Sequence, residues 1–307
     1  MQTILGSNGQ IGQELAKALH QTHTKDIRLV SRKPIRVNVT DELVSADLLK
    51  YEEANKAIAG SDIVYLTAGL PMDSELWEAQ FPLMMANVIK ACQVNQSKLV
   101  FFDNTYMYAK TAAIQDENSP FEPVGRKSAV RAQLAEMVLQ AMATSDLQAL
   151  ICRAPEFYGP GKTQSITNTM IFNPIKTKKD IKVPVSASTL RTLIWTPDAS
   201  RAMALLGNTE SAYGQTWHLP CEDSLTYQEM IALAQSITGE KLEYSVVKLW
   251  QFKLGSYVNH NLKELQELLP RYQVDNHFGS DKFKAAFPEF TITPIDSGIR
   301  QILGEAD

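Results

Sequence analysis

The residues best suited by type and spacing to do chemistry are three glycines in LGSNGQIGQELAKAL, residues 5–19. Gly6, Gly9 and Gly12 follow a short apolar run and open a helical pattern, the context a dinucleotide-binding loop requires. Gly6 would permit the tight turn, Gly9 the close approach of backbone to a pyrophosphate, and Gly12 close packing of helix on sheet. Ser7, Asn8, Gln10 and Ile11 complete the loop. Its backbone amides and the positive end of the helix would hold a diphosphate without spending a charged side chain. The plainer alternative is an ordinary turn before a helix.

Three further strand ends extend the reading. IRLVSRKP places Ser31, Arg32 and Lys33 where an NAD site often carries an acid for the ribose hydroxyls. A guanidinium can bind two oxygens of a 2′-phosphate that an acid would repel, so NADP is preferred and NAD remains possible. Arg32 and Lys33 facing plain solvent is the competing reading. In LVSADLL, Asp47 would accept a hydrogen bond from an adenine amine and Leu48 would pack near the ring, or Asp47 would cap the next helix. In LTAGLP, Thr67, Ala68 and Gly69 would let the cofactor backbone pass closely, or form a simple strand-to-helix turn.

These residues need a scaffold, and the chain is long enough to supply one. Its 307 residues are 44% hydrophobic, which suggests one large or two modest domains and excludes a small disulfide-stapled fold. Nearly continuous apolar runs predict strands at 3–5, 27–30, 43–46, 63–66, 99–102 and 148–152. Such runs suit a parallel sheet buried on both faces. Helical patterns fall at 11–19, 83–92 and 130–142. The expectation is an α/β fold, a doubly wound parallel sheet whose ligands lie beyond the strand C-termini. After EFYGPG, residues 156–161, the pattern changes. Residues 1–161 are expected to form the dinucleotide-binding domain, completed by the helix and strand pair within about 186–220. Residues 162–185 and 221–307 would form a smaller lobe. In that lobe TYQEMIALAQSITG is an amphipathic helix stopped by Gly239, and NLKELQELLP a second helix ended by Pro270.

Composition narrows the function classes. The formal charge of −4, without a polybasic tail, gives no support to nucleic acid or membrane as partners. MQTILGSNGQ lacks the pattern of a leader and no apolar run reaches a membrane span, so a soluble cytoplasmic protein is expected. Cys92, Cys152 and Cys221 lack zinc-site spacing and read as buried thiols. The five histidines form no dense ligand pattern, so no metal is expected. There is no GxSxG elbow and no Walker loop.

Taken together, the glycine loop, Asp47, TAG at 67–69, Asn87, YMY at 106–108 and RAPEFYGPG at 153–161 resemble the extended short-chain dehydrogenase/reductase family. The nearest likeness is to its NAD(P)-dependent epimerase/dehydratase-like members, across nearly the whole chain. The resemblance implies a Rossmann fold, NAD or NADP on the larger lobe and substrate between lobes. It further implies catalysis by Ser or Thr, Tyr and Lys, the tyrosinate moving a hydroxyl proton while nicotinamide moves hydride.

The sequence departs from that triad. Tyr and Lys should stand one helical turn apart, but FEPVGRKSAVRAQLAEMVL places Ser128 and Ala132 there, or Lys127 and Arg131 in the shifted alignment. Asn104, with Thr105 beside it, takes the customary serine position, and both are substrate-site candidates. Lys127 would bind a ribose hydroxyl and Arg131 an anion; otherwise both are helix-surface cations, or Arg131 pairs with Glu136 or Asp103. Tyr108 is the candidate phenolic acid/base near substrate, or an aromatic pocket wall. The YMYAK spacing of Tyr106 and Lys110 follows a strand and is set aside. The resemblance puts Pro155 beside nicotinamide, Tyr158 to Gly161 at the turn toward the second lobe, and Arg191 and Asp198 at a substrate-facing base and an ordered acidic turn; otherwise Arg191 sits on the surface and Asp198 begins the helix.

The expected function is hydride transfer on a small polar alcohol or carbonyl compound, a sugar derivative among the options, with a non-standard active site. The alternative is a catalytically weak or inactive NAD(P)-binding regulatory protein. The sequence leaves substrate, direction and oligomeric state open.

Overall fold

The apolar runs at the middle of the sheet become strands covered on both faces, whereas Glu42–Ser45 at its edge has no buried residue. In the computed structural model, which describes residues 1–161 and 163–304, β1 (Gln2–Leu5) and β4 (Ile63–Leu66) are buried at every position. The same holds for the strand Ala149–Arg153. With β2 (Ile27–Ser31), β3 (Glu42–Ser45), β5 (Lys98–Asp103) and the strand Thr216–His218 they form a seven-stranded sheet. Its order is Thr216–His218, Ala149–Arg153, β5, β4, β1, β2, β3, and every pairing is parallel. Chain order reverses direction on either side of β1, so the crevice beyond its C-terminal end is the place such a sheet offers a ligand.

Helices α1 (Gln10–Thr22), α2 (Tyr51–Ile58), α3 (Ser74–Asn95) and α4 (Arg126–Thr144) lie between these strands in sequence. The apolar pattern starts α3 at residue 83, and the structure corrects this. Asp73 accepts the Leu76 N–H at 2.8 Å and starts the helix two turns earlier. Pro82 sits inside it. An interior proline costs about 3 kcal/mol, and the buried Trp77, Phe81, Met84 and Met85 around it are the packing that offsets the loss. α2 also lacked a sequence signal long enough to be read.

Two compact units emerge. The first comprises Met1–Met107, Gly125–Ala154 and Ala199–Leu219 and contains the whole seven-stranded sheet. The second comprises Tyr108–Val124, Pro155–Asp198 and Pro220 onward. Residues 186–198, expected with the sheet, group with the second unit. The expected lobe boundary at residue 162 and its last residues, 305–307, lie outside the described residues.

The second unit is built from short pairings. Glu156–Tyr158 pairs in parallel with Leu193–Trp195, and Ile181–Pro184 with Tyr244–Val247. Tyr158, Phe172, Trp195, Tyr227 and Met230 belong to its core. Its amphipathic helix runs Tyr227–Thr238, opened by Thr226 and Glu229 in a reciprocal cap and closed by left-handed Gly239. The second expected helix is shorter, His260–Leu265, and the chain tightens into a further turn at Leu269–Gln273 around Pro270. Among the described residues no helix is long and apolar enough to cross a membrane.

Candidate functional site

The glycine loop is shaped by what two of its glycines exclude. Gly6 has φ +86°, and a Cβ there would lie 2.4 Å from Ala68 Cα. A Cβ on Gly12 would lie 2.9 Å from both Gly6 O and Ser7 Cα, and 3.1 Å from Thr67 Oγ1. Neither position has room for a side chain. The ends of β1 and β4 are thereby drawn against the first turn of α1, and Thr67 fixes the approach by donating Oγ1 to Leu5 O at 3.0 Å. Ser7 is buried and donates its amide to Val30 O at 3.2 Å, tying the loop to β2.

The outer side of the loop is open. A Cβ on Gly9 would meet only Gly6 O at 3.4 Å, and one on Gly69 nothing within 4 Å. Gly9 caps α1 without a side-chain hydrogen bond, and no acid stands in the first turn. The positive helix end is therefore presented by backbone without a competing carboxylate, the donor set a diphosphate needs. These residues fit the diphosphate of a dinucleotide.

Around the loop, Asn8 clamps the segment after β2. Its Nδ2 donates to Lys33 O at 2.7 Å, and its Oδ1 accepts the Ile35 N–H at 3.0 Å. This sets the backbone that carries Arg32 and Lys33, both exposed. Ser31 Oγ accepts the Lys33 amide at 3.2 Å. At the end of β3, Asp47 Oδ1 accepts the Leu49 N–H at 3.1 Å while Glu53 accepts the Asp47 N–H at 2.8 Å. Asp47 thus closes a turn before α2 and does not cap it, since the N-cap is Lys50 without a side-chain bond; Leu48 is buried with its carbonyl accepting from Asn87 Nδ2 at 3.0 Å. Ser31 ends β2; Arg32, Asp47, Leu48 and Thr67 to Gly69 follow strands of the same parallel sheet, and the fold brings them to the same edge as Gly6 to Gly12.

Side chains that would do acid/base work are placed differently. Lys127 is fully buried and donates Nζ to Ser74 Oγ at 2.7 Å. Arg131 donates Nε to Asp103 Oδ1 at 3.0 Å, and its Nη2 also reaches that carboxylate. Arg153 donates Nε to the other oxygen, Oδ2, at 3.1 Å. Asp103 is wholly buried between two guanidiniums, and it joins α4 to the ends of β5 and Ala149–Arg153. Of the alternatives for Arg131, pairing with Asp103 is the one the structure contains. Arg153 and Ser74 were missed by sequence reasoning, since Arg153 lies 50 residues and Ser74 53 residues from the partner each meets.

Ser128, at the tyrosine position of the first alignment, is buried and its Oγ has no hydrogen-bond partner. Asn104 turns inward on the chain, its Oδ1 accepting the Tyr106 N–H at 3.0 Å, and Thr105 is buried. Tyr106 stacks on Trp77 with ring centroids 6.4 Å apart.

The remaining candidates belong to the second unit. Tyr108 is buried, and its phenol donates to Asp116 O at 3.0 Å. Lys110 donates Nζ to the carbonyls of Val124 and Glu267 at 2.9 and 2.8 Å. Arg191, read as substrate-facing, is 1% exposed. It donates to Glu156 Oε2 at 3.3 Å and to Arg271 O at 2.8 Å, and its guanidinium carbon lies 4.4 Å from the centre of the Tyr272 ring. Burial is the largest single influence and works to lower its pKa, but the Glu156 charge and hydrogen bond, together with Tyr272 and Tyr227, leave the group above its ordinary value. Asp198 lies in the first turn of the helix Thr196–Gly207, where it accepts from the Thr293 amide and hydroxyl at 2.6 and 2.8 Å. Pro155 begins a stretch of this unit. The three cysteines are buried, and desolvation pushes the Cys92 and Cys221 thiols up to about 12, so neither is a nucleophile at neutral pH.

Comparison with known proteins bears on the family and the fold. The model of the NAD dependent epimerase/dehydratase family matches residues 3–218. No curated protein sequence matches the chain significantly. Among solved structures, UDP-glucuronic acid 4-epimerase from Bacillus cereus in complex with NAD superposes with a TM-score of 0.81 at 13% identity, over 99% of this chain and 98% of that one. UDP-glucose 4-epimerase from Thermus thermophilus in complex with NAD gives 0.78 at 15% identity, over 99% and 98%. At those identities the likeness is one of fold.

Proposed function

The chain belongs to the NAD dependent epimerase/dehydratase family, and from that premise we propose that it binds NADP in preference to NAD and transfers hydride to or from a small polar alcohol or carbonyl compound. The observation that carries the reading is the loop between β1 and α1. It has no space for a side chain at Gly6 or Gly12, and an open, uncapped helix start at Gly9. Gly6 to Gly12 would hold the diphosphate, with Thr67 to Gly69 beside it and Asp47 and Leu48 toward the adenine. Ser31 and Arg32 would take the 2′-phosphate, because no carboxylate stands there to repel it. A bound nicotinamide supplies the hydride acceptor or donor.

A sugar derivative is the substrate class we favour, since the solved structures of this fold named above are UDP-sugar epimerases. In our reading proton transfer falls to Tyr108, to an ordered water or to a group of the substrate, with Asn104 and Thr105 as the candidate substrate contacts and Pro155 as the nicotinamide contact, while the buried Arg191 is held by Glu156. Lys127 and Arg131 hold the framework from which the cofactor ribose is met. A second reading, a cofactor-binding regulatory protein with little turnover, is favoured by one observation. Neither alignment recovers the tyrosine and lysine: Ser128 and Ala132 stand there in the first, and in the second Lys127 and Arg131, which are engaged with Ser74 and Asp103.

Calorimetric titration with NADP, NADPH, NAD and NADH tests the premise. The expected result is binding of the phosphorylated pair about tenfold or more tighter, the scale of one charge-assisted contact. Equal or tighter binding of NAD and NADH overturns the NADP preference, and no binding of any of the four overturns the proposal. Tight binding with no turnover on a panel of UDP-sugars and small carbonyl compounds favours the second reading.

A further inference from the structure

The second unit carries an outward apolar face that its own core does not explain. On the helix Leu249–Ser256 and the turn after it, Trp250 is 62% exposed, Leu254 58%, Tyr257 75% and Val258 89%. Their spacing of four, three and one places them on one side of a helical path, which the Tyr257 and Val258 amides continue by donating to Leu254 O and Gly255 O. The other side is committed. Phe252 is buried in the core of the unit, and Leu249 packs against that core. The exposed face is thus held outward by a buried one.

Charge along the segment that carries the face is equally one-sided. Between Glu243 and Glu264 the sequence contains Lys248, Lys253 and Lys263 and no carboxylate, in a chain whose net charge is −4. All three lysines are exposed. We propose that this surface docks on an anionic lipid bilayer, Trp250, Leu254, Tyr257 and Val258 entering the interfacial layer and the lysines meeting lipid phosphates. A second copy of the chain bound by the same face would set three lysines against three. A protein partner is disfavoured by the type of cation. Lysine is depleted at protein interfaces, where arginine's planar fork is enriched. As a compact, hydrated point charge on a flexible stem, lysine suits a diffuse anionic surface. Tryptophan and tyrosine are the side chains whose amphipathic rings sit at that depth. Whole-chain composition argued against a membrane partner, but an average over 307 residues hides this local excess.

Co-sedimentation with vesicles tests the proposal, comparing phosphatidylcholine alone with phosphatidylcholine containing about 30% phosphatidylserine, a strongly anionic surface. The full-length protein is expected to bind the anionic vesicles and not the zwitterionic ones, and to be released at about 1 M salt, where screening is nearly complete. Trp250→Ser with Leu254→Ser, and separately Lys248→Ser with Lys253→Ser and Lys263→Ser, should each weaken binding at least about tenfold. All five side chains are exposed, and an unchanged Tm confirms folding for each variant. Two independent sets of substitutions keep the test decisive should one variant misfold. Binding that ignores lipid charge, or that both variants retain, overturns the proposal. So does a wild-type protein that leaves anionic vesicles untouched, including one that dimerises in sedimentation velocity through the Trp250 face or that binds only an acidic protein.

Discussion

The openings of α1 and α4 start from similar ground and have diverged in what carries them. Each helix follows a glycine without a side-chain cap, Gly9 for α1 and Gly125 for α4. At α1 the working groups are backbone amides, and the side chains are absent because space forbids them at Gly6 and Gly12. At α4 the resemblance would put side chains to work, and the candidates there, Lys127, Ser128 and Arg131, are all buried. A function lodged in backbone persists as long as the fold does, since the packing that shapes the loop also holds the sheet together. A function lodged in two side chains can be exchanged for structural bonds without moving an element.

The comparison breaks first at Asp103. If the α4 side of the sheet is held by structural charge, Asp103→Asn deprives Arg131 and Arg153 of the carboxylate they share. Breaking a buried ion pair by removing one partner costs roughly 3–5 kcal/mol, to be read as a lowered midpoint in chemical denaturation. A loss below about 1 kcal/mol, the scale of an exposed pair, would mean the network is incidental and the two helix openings are less different than they look.

A matched pair at the other opening sharpens it. Gly6→Ala forces a side chain into a backbone at φ +86° against Ala68, and should cost about 3 kcal/mol, where strain and overpacking singly reach their upper range. Gly9→Ala adds the same methyl at φ −71°, where only Gly6 O at 3.4 Å receives it. Stability should then stay within about 0.5 kcal/mol of the wild type, while affinity for the dinucleotide falls about tenfold because the methyl fills the approach of the diphosphate. Undiminished affinity in Gly9→Ala would move the diphosphate away from α1.

This contrast also explains what the sequence discloses. β1, β4 and the strand at 149–153 are legible because burial on both faces leaves an unbroken apolar run, and the loop is legible because left-handed backbone and close approach are conditions glycine alone meets cheaply. The start of α3 was missed because its signal is a single carboxylate, Asp73, set before a stretch that a proline makes look unhelical. The candidates at α4 were legible as residues and not as bonds. Whether Arg131 meets a ligand or Asp103, 28 residues away, depends on how the chain brings α4 to β5, which no local pattern contains. Arg191 shows the same limit, its family-like position carrying no mark of the Glu156 carboxylate and Tyr272 ring that take up its charge.

The smallest expected effect discriminates most sharply between altered and lost chemistry. Ser128 stands where the first alignment puts the family's tyrosine, and its buried hydroxyl makes no hydrogen bond. An orphaned buried hydroxyl costs about 1 kcal/mol or more against an apolar replacement of similar shape. If the position is a structural remnant, Ser128→Ala relieves that cost, and the Tm should rise by about 2 °C with cofactor affinity unchanged. If instead Ser128 presents its hydroxyl to a ligand, the orphan is a donor awaiting its acceptor. The same substitution would then weaken dinucleotide binding, and the stabilisation of the free protein would be matched by an equal or larger loss in the complex. Thermal shifts measured with and without NADP separate the two. A rise of equal size in both states places the chemistry elsewhere than α4, whereas a rise confined to the free protein returns Ser128 to the site.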